Sequence, residues 1–383
     1  MADRLPDLYR PSAEERSRQA FVGALKTEIN RGLEAQLADR CDTVLVPAFR
    51  EQHGREPEGR AEGLALFETD PLFRLWESAT YASQSLLWET VGDTVDRVQP
   101  RFEARASELR AQAPLGSLCL APELPKPEPI ASTEIHRQPG GYFLGDAQGA
   151  LTAALLYTGT VEIYRAAKGF ASSRSGSTDV GHQFAAMASE LAPDLRPRRI
   201  LDLGCGVGHM AMGLKEAFPE AEVVAVDLAA SFVRLGHLWA EDMGLAVDFL
   251  QADAAATGLE SGAFDLIVSQ ILFHETWHDK LPAIMAEAAR LLAPDGLFFN
   301  VDIPYQPSRL SLTQLVTNAW QVSYNGEPFW TGFADTDVGA ALAGAGFGSG
   351  AFTRYAAPGG GREYFIFGAY GPERARRAEP EAA

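Results

Sequence analysis

The sequence predicts an α/β protein in which a doubly wound, mostly parallel sheet follows a helical N-terminal region. From Arg199 onward, short apolar runs alternate with amphipathic helical segments, which is typical of parallel strands joined by crossover helices. Before that point, apolar residues recur at one-turn spacing, as expected of helices that bury one face. The chain of 383 residues is also long for a single domain, so we expect more than one structural unit.

The N-terminal region is predicted to be helical over two stretches separated by a Gly/Arg/Glu-rich loop at about residues 51–63. The apolar positions of the first stretch are Phe21, Leu25, Ile29, Leu33 and Leu37. Those of the second are Leu72, Leu75, Trp76, Ala79, Leu86, Val91 and Val95. We expect Pro100 to break the second helix, because proline lacks an N–H donor and clashes with the preceding turn. Five prolines predict an extended connector and a subdomain boundary at 114–131.

The segment that follows the connector is predicted to be helical. Asp146 is expected to cap a helix that runs to about Phe170, with Gly169 near its end, and Thr178 or Asp179 to cap the next one. The expected units are a helical N-terminal region at 1–130, a connecting helical segment at 131–175, an α/β domain at 176–372 with a lid insertion at about 304–334, and a disordered tail at 373–383.

The α/β domain is predicted to contain five successive strands with helices between them. The strand sequences are RILDL, VVAVD, VDFLQ, FDLIVS and LFFNVD. The predicted helices lie at about 209–218, 230–243, 278–293 and 335–345.

Composition excludes several classes of protein. No apolar run is long enough to span a membrane, and the polar, acidic N-terminus does not read as a signal peptide, so we expect a cytoplasmic protein without a membrane partner. The net charge of −18 would repel a phosphate backbone, which argues against nucleic acid and favours a small, neutral or cationic partner. Cys41, Cys119 and Cys205 are widely spaced and odd in number, which predicts neither disulfides nor a cysteine metal site.

The strongest motif is RILDLGCGVGH, where a strand ending in Asp202 and Leu203 runs into a glycine-rich turn. Glycines let the backbone turn sharply and lie against a ligand, with a helix N-terminus just behind. A dinucleotide-binding loop would carry its third glycine at position 209, which is His209 here; the glycine is Gly208. Asp227 closes the next strand at the separation where an acid accepts ribose hydroxyls, and Asp253 follows the third strand.

This order of motifs resembles that of the class I, Rossmann-like methyltransferases that depend on S-adenosyl-L-methionine (SAM). The resemblance covers about residues 179–302 and implies that 176–372 form a SAM-binding catalytic domain. It places Asp202 and the loop of Gly204, Cys205, Gly206 and Gly208 at the methionine part of the cofactor. It places Asp227 at the ribose. The residues that it assigns to the adenine end are Leu228, Asp253 and Ala254, and Gln270 at the end of the fourth strand is also expected to bind the cofactor.

The acceptor of the methyl group should face the segments after the fourth and fifth strands, since ligands of such sheets bind beyond the carboxyl ends of the strands. His274 is a candidate general base, because its ordinary pKa near 6.5 suits proton removal. Glu275 could orient His274 or hold an amine, and His278 could replace His274. The aromatic candidates for the acceptor pocket are Tyr142, Trp320, Tyr324 and Trp330. No third ligand accompanies His274 and His278, so no metal site is expected.

These observations predict a SAM-dependent methyltransferase that acts on a small organic molecule, most readily at oxygen. Nitrogen, carbon and sulfur acceptors stay open, as do a SAM-fold enzyme of another chemistry and a SAM-binding protein without catalysis. The helical N-terminal region is similar to the dimerisation regions of small-molecule O-methyltransferases, so a homodimer also stays open.

Overall fold

The structure, a computed structural model, describes residues 4–168, 177–304, 306–357 and 363–378. It contains an α/β unit with helices on both faces of one sheet and a helical layer built from the N-terminal residues. The helices are α1 (Leu5–Leu8), α2 (Ala13–Glu28), α3 (Glu34–Arg40), α4 (Val46–His53), α5 (Gly59–Phe67), α6 (Pro71–Arg110), α7 (Glu128–Ala131), α8 (Thr152–Lys168), α9 (Asp179–Leu191), α10 (His209–Ala217), α11 (Ala230–Met243), α12 (Leu281–Leu291), α13 (Leu312–Tyr324), α14 (Trp330–Ala334), α15 (Val338–Gly344) and α16 (Pro372–Ala378).

The sheet has eight strands in the order β1-β4-β3-β2-β5-β6-β8-β7. Their bounds are β1 (Leu118–Cys119), β2 (Arg199–Leu203), β3 (Glu222–Asp227), β4 (Asp248–Gln251), β5 (Phe264–Gln270), β6 (Leu292–Asp302), β7 (Ala351–Ala356) and β8 (Tyr364–Tyr370). All pairs are parallel except β6 with β8 and β8 with β7. The doubly wound, mostly parallel sheet is therefore confirmed, and its strand order reverses between β2 and β5.

The N-terminal helices form a continuous path from Ala13 to His53, bent at two π-helical turns, and then the long helix α6. The predicted break at Pro100 is wrong, because α6 continues through it to Arg110. Pro100 and Asp96, whose carbonyl loses its helical partner, are both exposed, while Val98 and Phe102 are buried on the opposite side. Packing of that apolar side outweighs the local cost of the proline.

The predicted extended connector takes part in the sheet. Within it, β1 lies parallel to β4, with Leu118 opposite Phe249, and forms one edge. Asp146 does not cap the helix that follows it, since α8 begins at Thr152. Its carboxylate instead accepts the backbone N–H of Ser231 at 2.9 Å, in the first turn of α11. The predicted helix end at Gly169 and Phe170 lies outside the described residues.

The helical layer and the sheet share one hydrophobic core. A single cluster of buried side chains extends from Leu5, Val95 and Phe102 to Phe249 and Ile366. The core is therefore continuous across the boundary expected at 114–131. Among the described helices, none combines the length and the apolar character needed to cross a membrane.

The disordered tail expected at 373–383 is wrong for its first half. Residues Pro372–Ala378 form α16. Arg374 is buried and donates to the backbone oxygen of Asp295 at 2.9 Å and to the carboxylate of Asp194 at 2.5 Å. These contacts attach α16 to the end of the sheet; residues 379–383 are outside the described part.

Candidate active site

A cavity of about 400 Å³ opens at the carboxyl ends of β2, β3 and β5, where the strand order reverses. This is the place at which ligands of open α/β sheets bind. The predicted cofactor residues that line it are Asp202, Gly204, Cys205, Gly206, Asp227, Leu228, Asp253, Ala254 and Gln270.

The glycine-rich turn between β2 and α10 depends on left-handed backbone conformations. Gly204, Gly206 and Gly208 have φ values of 77°, 54° and 79°. A Cβ on Gly206 would meet no atom within 4 Å, so its backbone faces open space. A Cβ on Gly208 would lie 2.6 Å from the ring of Phe249. Gly208 does not line the cavity and instead lets α10 start close to the sheet.

Two acids at strand ends flank this turn. Asp202 is fully buried, and neither of its carboxylate oxygens accepts a hydrogen bond of good geometry from the described residues. Burial raises the pKa of Asp202 well above its ordinary value. Asp227 accepts the backbone N–H groups of Ala229 and Gly206, each at 2.9 Å, and burial raises the pKa of Asp227 to about 6.

Asp253 has a partner that the sequence analysis missed. One of its oxygens accepts the backbone N–H of Ala255 at 2.8 Å, and the other lies 2.7 Å from the ammonium of Lys280. Lys280 also lines the cavity. Lys280 is the last residue of a short 3-10 turn, His278–Lys280, that leads directly into α12.

At the other end of the cavity His274 belongs to a buried chain of acids and imidazoles. Its Nδ1 lies 2.5 Å from Oδ1 of Asp302, which closes β6, and its Nε2 lies 3.4 Å from Oε1 of Glu275. The same Glu275 oxygen is 2.8 Å from Nε2 of His136, whose Nδ1 is 2.8 Å from Glu327. His136 and Glu327 both line the cavity. One imidazole and two carboxylates, His136, Glu275 and Glu327, thus place potential metal-ligating atoms within 4.8 Å of one another.

These contacts change the protonation of the site. Burial alone lowers the pKa of His274, but the Asp302 carboxylate and then Glu275 raise it well above its ordinary value. Burial also lowers the pKa of His136, while Glu327 and Glu275 raise it to about 10. Burial raises the pKa of Glu275, and the two imidazoles hold it well below its usual range. The His274 side chain therefore holds its proton more tightly than a free histidine.

The backbone of His136 is fixed by the helical layer. Its φ of 54° is unusual for a residue with a side chain. Its carbonyl oxygen accepts the side-chain N–H groups of Gln84 at 2.6 Å and Trp88 at 2.8 Å, both from α6, and its N–H donates to Gly326 at 2.6 Å. Helix α6 thus positions a residue of the site.

Comparison with known proteins identifies the domain that carries this cavity. Residues 200–296 match the family model described as a methyltransferase domain. This chain contains a class I SAM-dependent methyltransferase domain. The match covers β2 to β6, which carry the glycine-rich turn and the acids at strand ends. The cofactor of this methyltransferase domain is SAM.

Two curated relatives of the methyltransferase domain are demethylmenaquinone methyltransferase of Thermus thermophilus and malonyl-[acyl-carrier protein] O-methyltransferase of Methylococcus capsulatus. The first is 40% identical over 120 residues, 31% of this chain and 54% of the relative. The second is 34% identical over 178 residues, 45% of this chain and 54% of the relative. The chain thus spans about half the length of each. A solved O-methyltransferase family protein from Burkholderia thailandensis is 16% identical, with a TM-score of 0.42, and covers 60% of this chain and 63% of its own.

The site residues of the methyltransferase domain fit SAM. Neither oxygen of the buried Asp202 carboxylate has a hydrogen-bond partner among the described residues, and the ammonium group of SAM would supply one. The open face of Gly206 admits a ligand against the backbone. Asp227 is held by Gly206 and Ala229, so a ribose would meet a carboxylate of fixed orientation.

The structure separates the predicted acceptor residues into two groups. Tyr142 and Trp330 line the cavity, and the ring of Trp330 lies 5.9 Å from that of His274. Trp320 and Tyr324 do not line the cavity. The ring centroid of Trp320 lies 4.9 Å from that of Trp76, and Tyr324 is 54% exposed. Their helix, α13, turns this face towards α5 and α6 rather than towards the sheet, so these two predictions are wrong.

His278 is also misplaced by the sequence analysis. Its side chain is 65% exposed and pairs with Asp279 at 3.0 Å on the surface. The chain has already left the end of β5 at this point and enters α12, whose apolar side faces the core. His278 therefore cannot replace His274 in this geometry.

Proposed function

We propose that this chain transfers the methyl group of SAM to a hydroxyl group of a small organic acceptor, with His274 as the general base. The observation that carries the proposal is the contact of 2.5 Å between His274 Nδ1 and the fully buried Asp302. A carboxylate in this position fixes the ring and its tautomer, so that Nε2, which has the longer contact of 3.4 Å with Glu275, is the nitrogen that would turn to the acceptor.

The proposed reaction is an in-line displacement. Bound SAM supplies an electrophilic methyl group on a sulfonium. The bond from carbon to sulfur breaks with its electron pair moving to sulfur, while an oxygen lone pair of the acceptor forms the new bond to carbon. The acceptor proton passes to Nε2 of His274, and Asp302 stabilises the resulting imidazolium.

The walls of the cavity support an acceptor with an apolar body. Tyr142 and Tyr157 pack around Phe232, with ring centroids 5.2 and 5.1 Å from it, and Trp330 stands beside His274. Such walls exclude water and hold a flat or apolar molecule, while the imidazoles and carboxylates meet its polar end.

An amine acceptor is the second candidate in the sequence analysis, with Glu275 as the group that would hold its ammonium. In the structure Glu275 already lies between two imidazoles, at 2.8 and 3.4 Å. An acceptor ammonium would have to compete with both imidazoles for this carboxylate, which favours the hydroxyl acceptor.

The experiment uses SAM carrying a ¹³C-labelled methyl group and fractionated metabolite extracts. S-adenosylhomocysteine release identifies an active fraction, and the ¹³C shift of the product methyl distinguishes oxygen, nitrogen, sulfur and carbon. An O-methyl signal supports the proposal. An N-, S- or C-methyl signal contradicts the assignment to oxygen. SAM binding without S-adenosylhomocysteine in any fraction would point to a SAM-binding protein or to another chemistry.

A further inference from the structure

We propose that His136, Glu275 and Glu327 bind a divalent transition-metal cation, such as Zn²⁺ or Mn²⁺, in the part of the cavity wall next to His274. The three side chains come from a loop before α8, the end of β5 and the loop after α13. Their ligand atoms all lie within 4.8 Å of one another. An ion at about 2.1 Å from each atom requires the three atoms to lie within about 4.2 Å of one another, so a closure of about 0.6 Å or less brings them to one ion.

The charges around this point favour a cation. Three carboxylates, Glu275, Glu327 and Asp302, surround the two imidazoles of His136 and His274. Even if both imidazoles are protonated, one negative charge stays uncompensated. Both Glu327 and Asp302 are buried, at 5% and 0% exposure, and buried charges are normally paired or bound to a metal.

The rest of the cavity does not supply that charge. Lys280 is the one lysine or arginine among the described lining residues, and it is bound to Asp253 at 2.7 Å. A divalent cation bound by His136, Glu275 and Glu327 would therefore offset the negative charge that the described side chains leave in excess.

The proposed ligands are held in place by their own backbones. Gln84 and Trp88 bind the carbonyl oxygen of His136, and its N–H binds Gly326, the residue next to Glu327. A Cβ on Gly326 would lie 2.5 Å from the backbone nitrogen of Arg137, so only glycine permits this contact of the two loops. Ligands that are positioned before the ion arrives bind it with less loss of entropy.

The donor set indicates the class of ion. One imidazole and two carboxylates suit Zn²⁺, Mn²⁺, Fe²⁺ or Co²⁺, whereas Ca²⁺ and Mg²⁺ prefer shells of oxygen alone. Three protein ligands leave a coordination position that faces the cavity. The site does not depend on the acceptor being a hydroxyl, so its test and the test of the proposed reaction can fail separately.

The test uses the full chain, freed of metal with a chelator and titrated with ZnCl₂ by calorimetry. We expect one equivalent to bind, and Glu327→Gln and His136→Ala each to weaken Zn²⁺ binding by about 100-fold or more. The control His182→Ala removes an exposed pair of the same chemistry, His182 with Glu216 at 3.0 Å, and should leave binding unchanged. A SAM titration of each variant reports whether it is folded.

Two results would overturn the proposal. Equal Zn²⁺ binding by the wild type, Glu327→Gln and His136→Ala would show that His136 is only an imidazolium held between two carboxylates. If the variants fail to bind SAM, the wild type is decisive on its own, titrated with CoCl₂. One equivalent of Co²⁺ with the strong visible absorption of a four- or five-coordinate ion supports the site, and no such absorption refutes it.

Discussion

Asp302→Asn gives the sharpest test of the general base. Asp302 accepts four hydrogen bonds: Oδ1 from His274 and from the N–H of Ile303, and Oδ2 from the N–H of Phe273 and the amide of Asn300. An asparagine offers one oxygen and one NH₂ group, so two of these four donors would face another donor. Leaving two buried donors without acceptors costs about 2 to 6 kcal/mol, at about 1 to 3 kcal/mol each. We expect the free energy of unfolding to fall by this amount.

The same substitution should change the pH dependence of the reaction. The carboxylate raises the pKa of His274, so its removal lowers that pKa, and burial then lowers it further. A base must be unprotonated to act, so the wild-type rate should rise with pH through a midpoint above 6.5, and the variant midpoint should move to lower pH. The maximal rate should fall by about 10² to 10⁴, because the weaker base has also lost its fixed tautomer.

Two assays measure these effects. Chemical denaturation gives the stability, and S-adenosylhomocysteine release gives the rate as a function of pH. A ¹⁵N NMR spectrum of the imidazoles follows the titration of His274 without any acceptor. The chain has seven histidines, so their signals can be assigned one by one. Asp279→Asn is the matched control, since Asp279 forms the same kind of pair with His278 but is 79% exposed. Asp302→Asn with a near-normal rate and an unmoved acid limb would refute His274 as the base.

Four further outcomes follow from the site. Asp227→Ala should weaken SAM binding by about 1.5 to 3 kcal/mol in calorimetry, and unchanged affinity in a folded variant would remove Asp227 from the site. His274→Ala should slow methyl transfer by about 10² to 10⁴ with SAM affinity barely changed; near-normal turnover would contradict this. In the metal-free protein the pKa of His136 is raised to about 10, so its stabilising contribution is complete below pH 6.5 and is lost as pH rises towards 10. Denaturation of chelator-treated protein at pH 6 and 9 should therefore show a larger loss of stability for the wild type than for His136→Asn. Trp88→Phe removes one of two donors to the His136 carbonyl, which Gln84 still satisfies, and should lower the free energy of unfolding by about 0.5 to 1.5 kcal/mol; an unchanged value would show that this hydrogen bond contributes nothing.

The cofactor end of the cavity could be predicted from the sequence because its determinants are local. A strand that ends in an acid, followed by glycines at fixed spacing, encodes both the turn and the carboxylate beside it, as at Asp202 and Gly206. Asp302 carries the same signal, an acid at the end of a buried strand, and could have been found in this way.

The acceptor end could not be predicted, because its residues meet only through tertiary packing. His136 and Glu327 are 191 positions apart and lie in loops with no periodic pattern. Their only local signal is a nearby glycine, as in HRQPGG and NGE. The prediction for Trp320 is wrong because the sequence does not show which way its helix faces. An aromatic residue in a predicted lid has the same pattern whether it faces a ligand or packs on Trp76.

The cavity is lined partly by the matched methyltransferase domain and partly by residues that come before and after it in the chain. Fifteen of its lining residues precede the matched methyltransferase domain and five follow it, among them His136, Tyr142, Glu327 and Trp330. Mutations in these flanking stretches can reshape the acceptor wall while the glycine-rich turn stays intact. Substitutions that favour a new acceptor can therefore fall in loops and helices outside the matched domain. The wall that faces the acceptor and the turn that faces the cofactor can therefore change independently of each other.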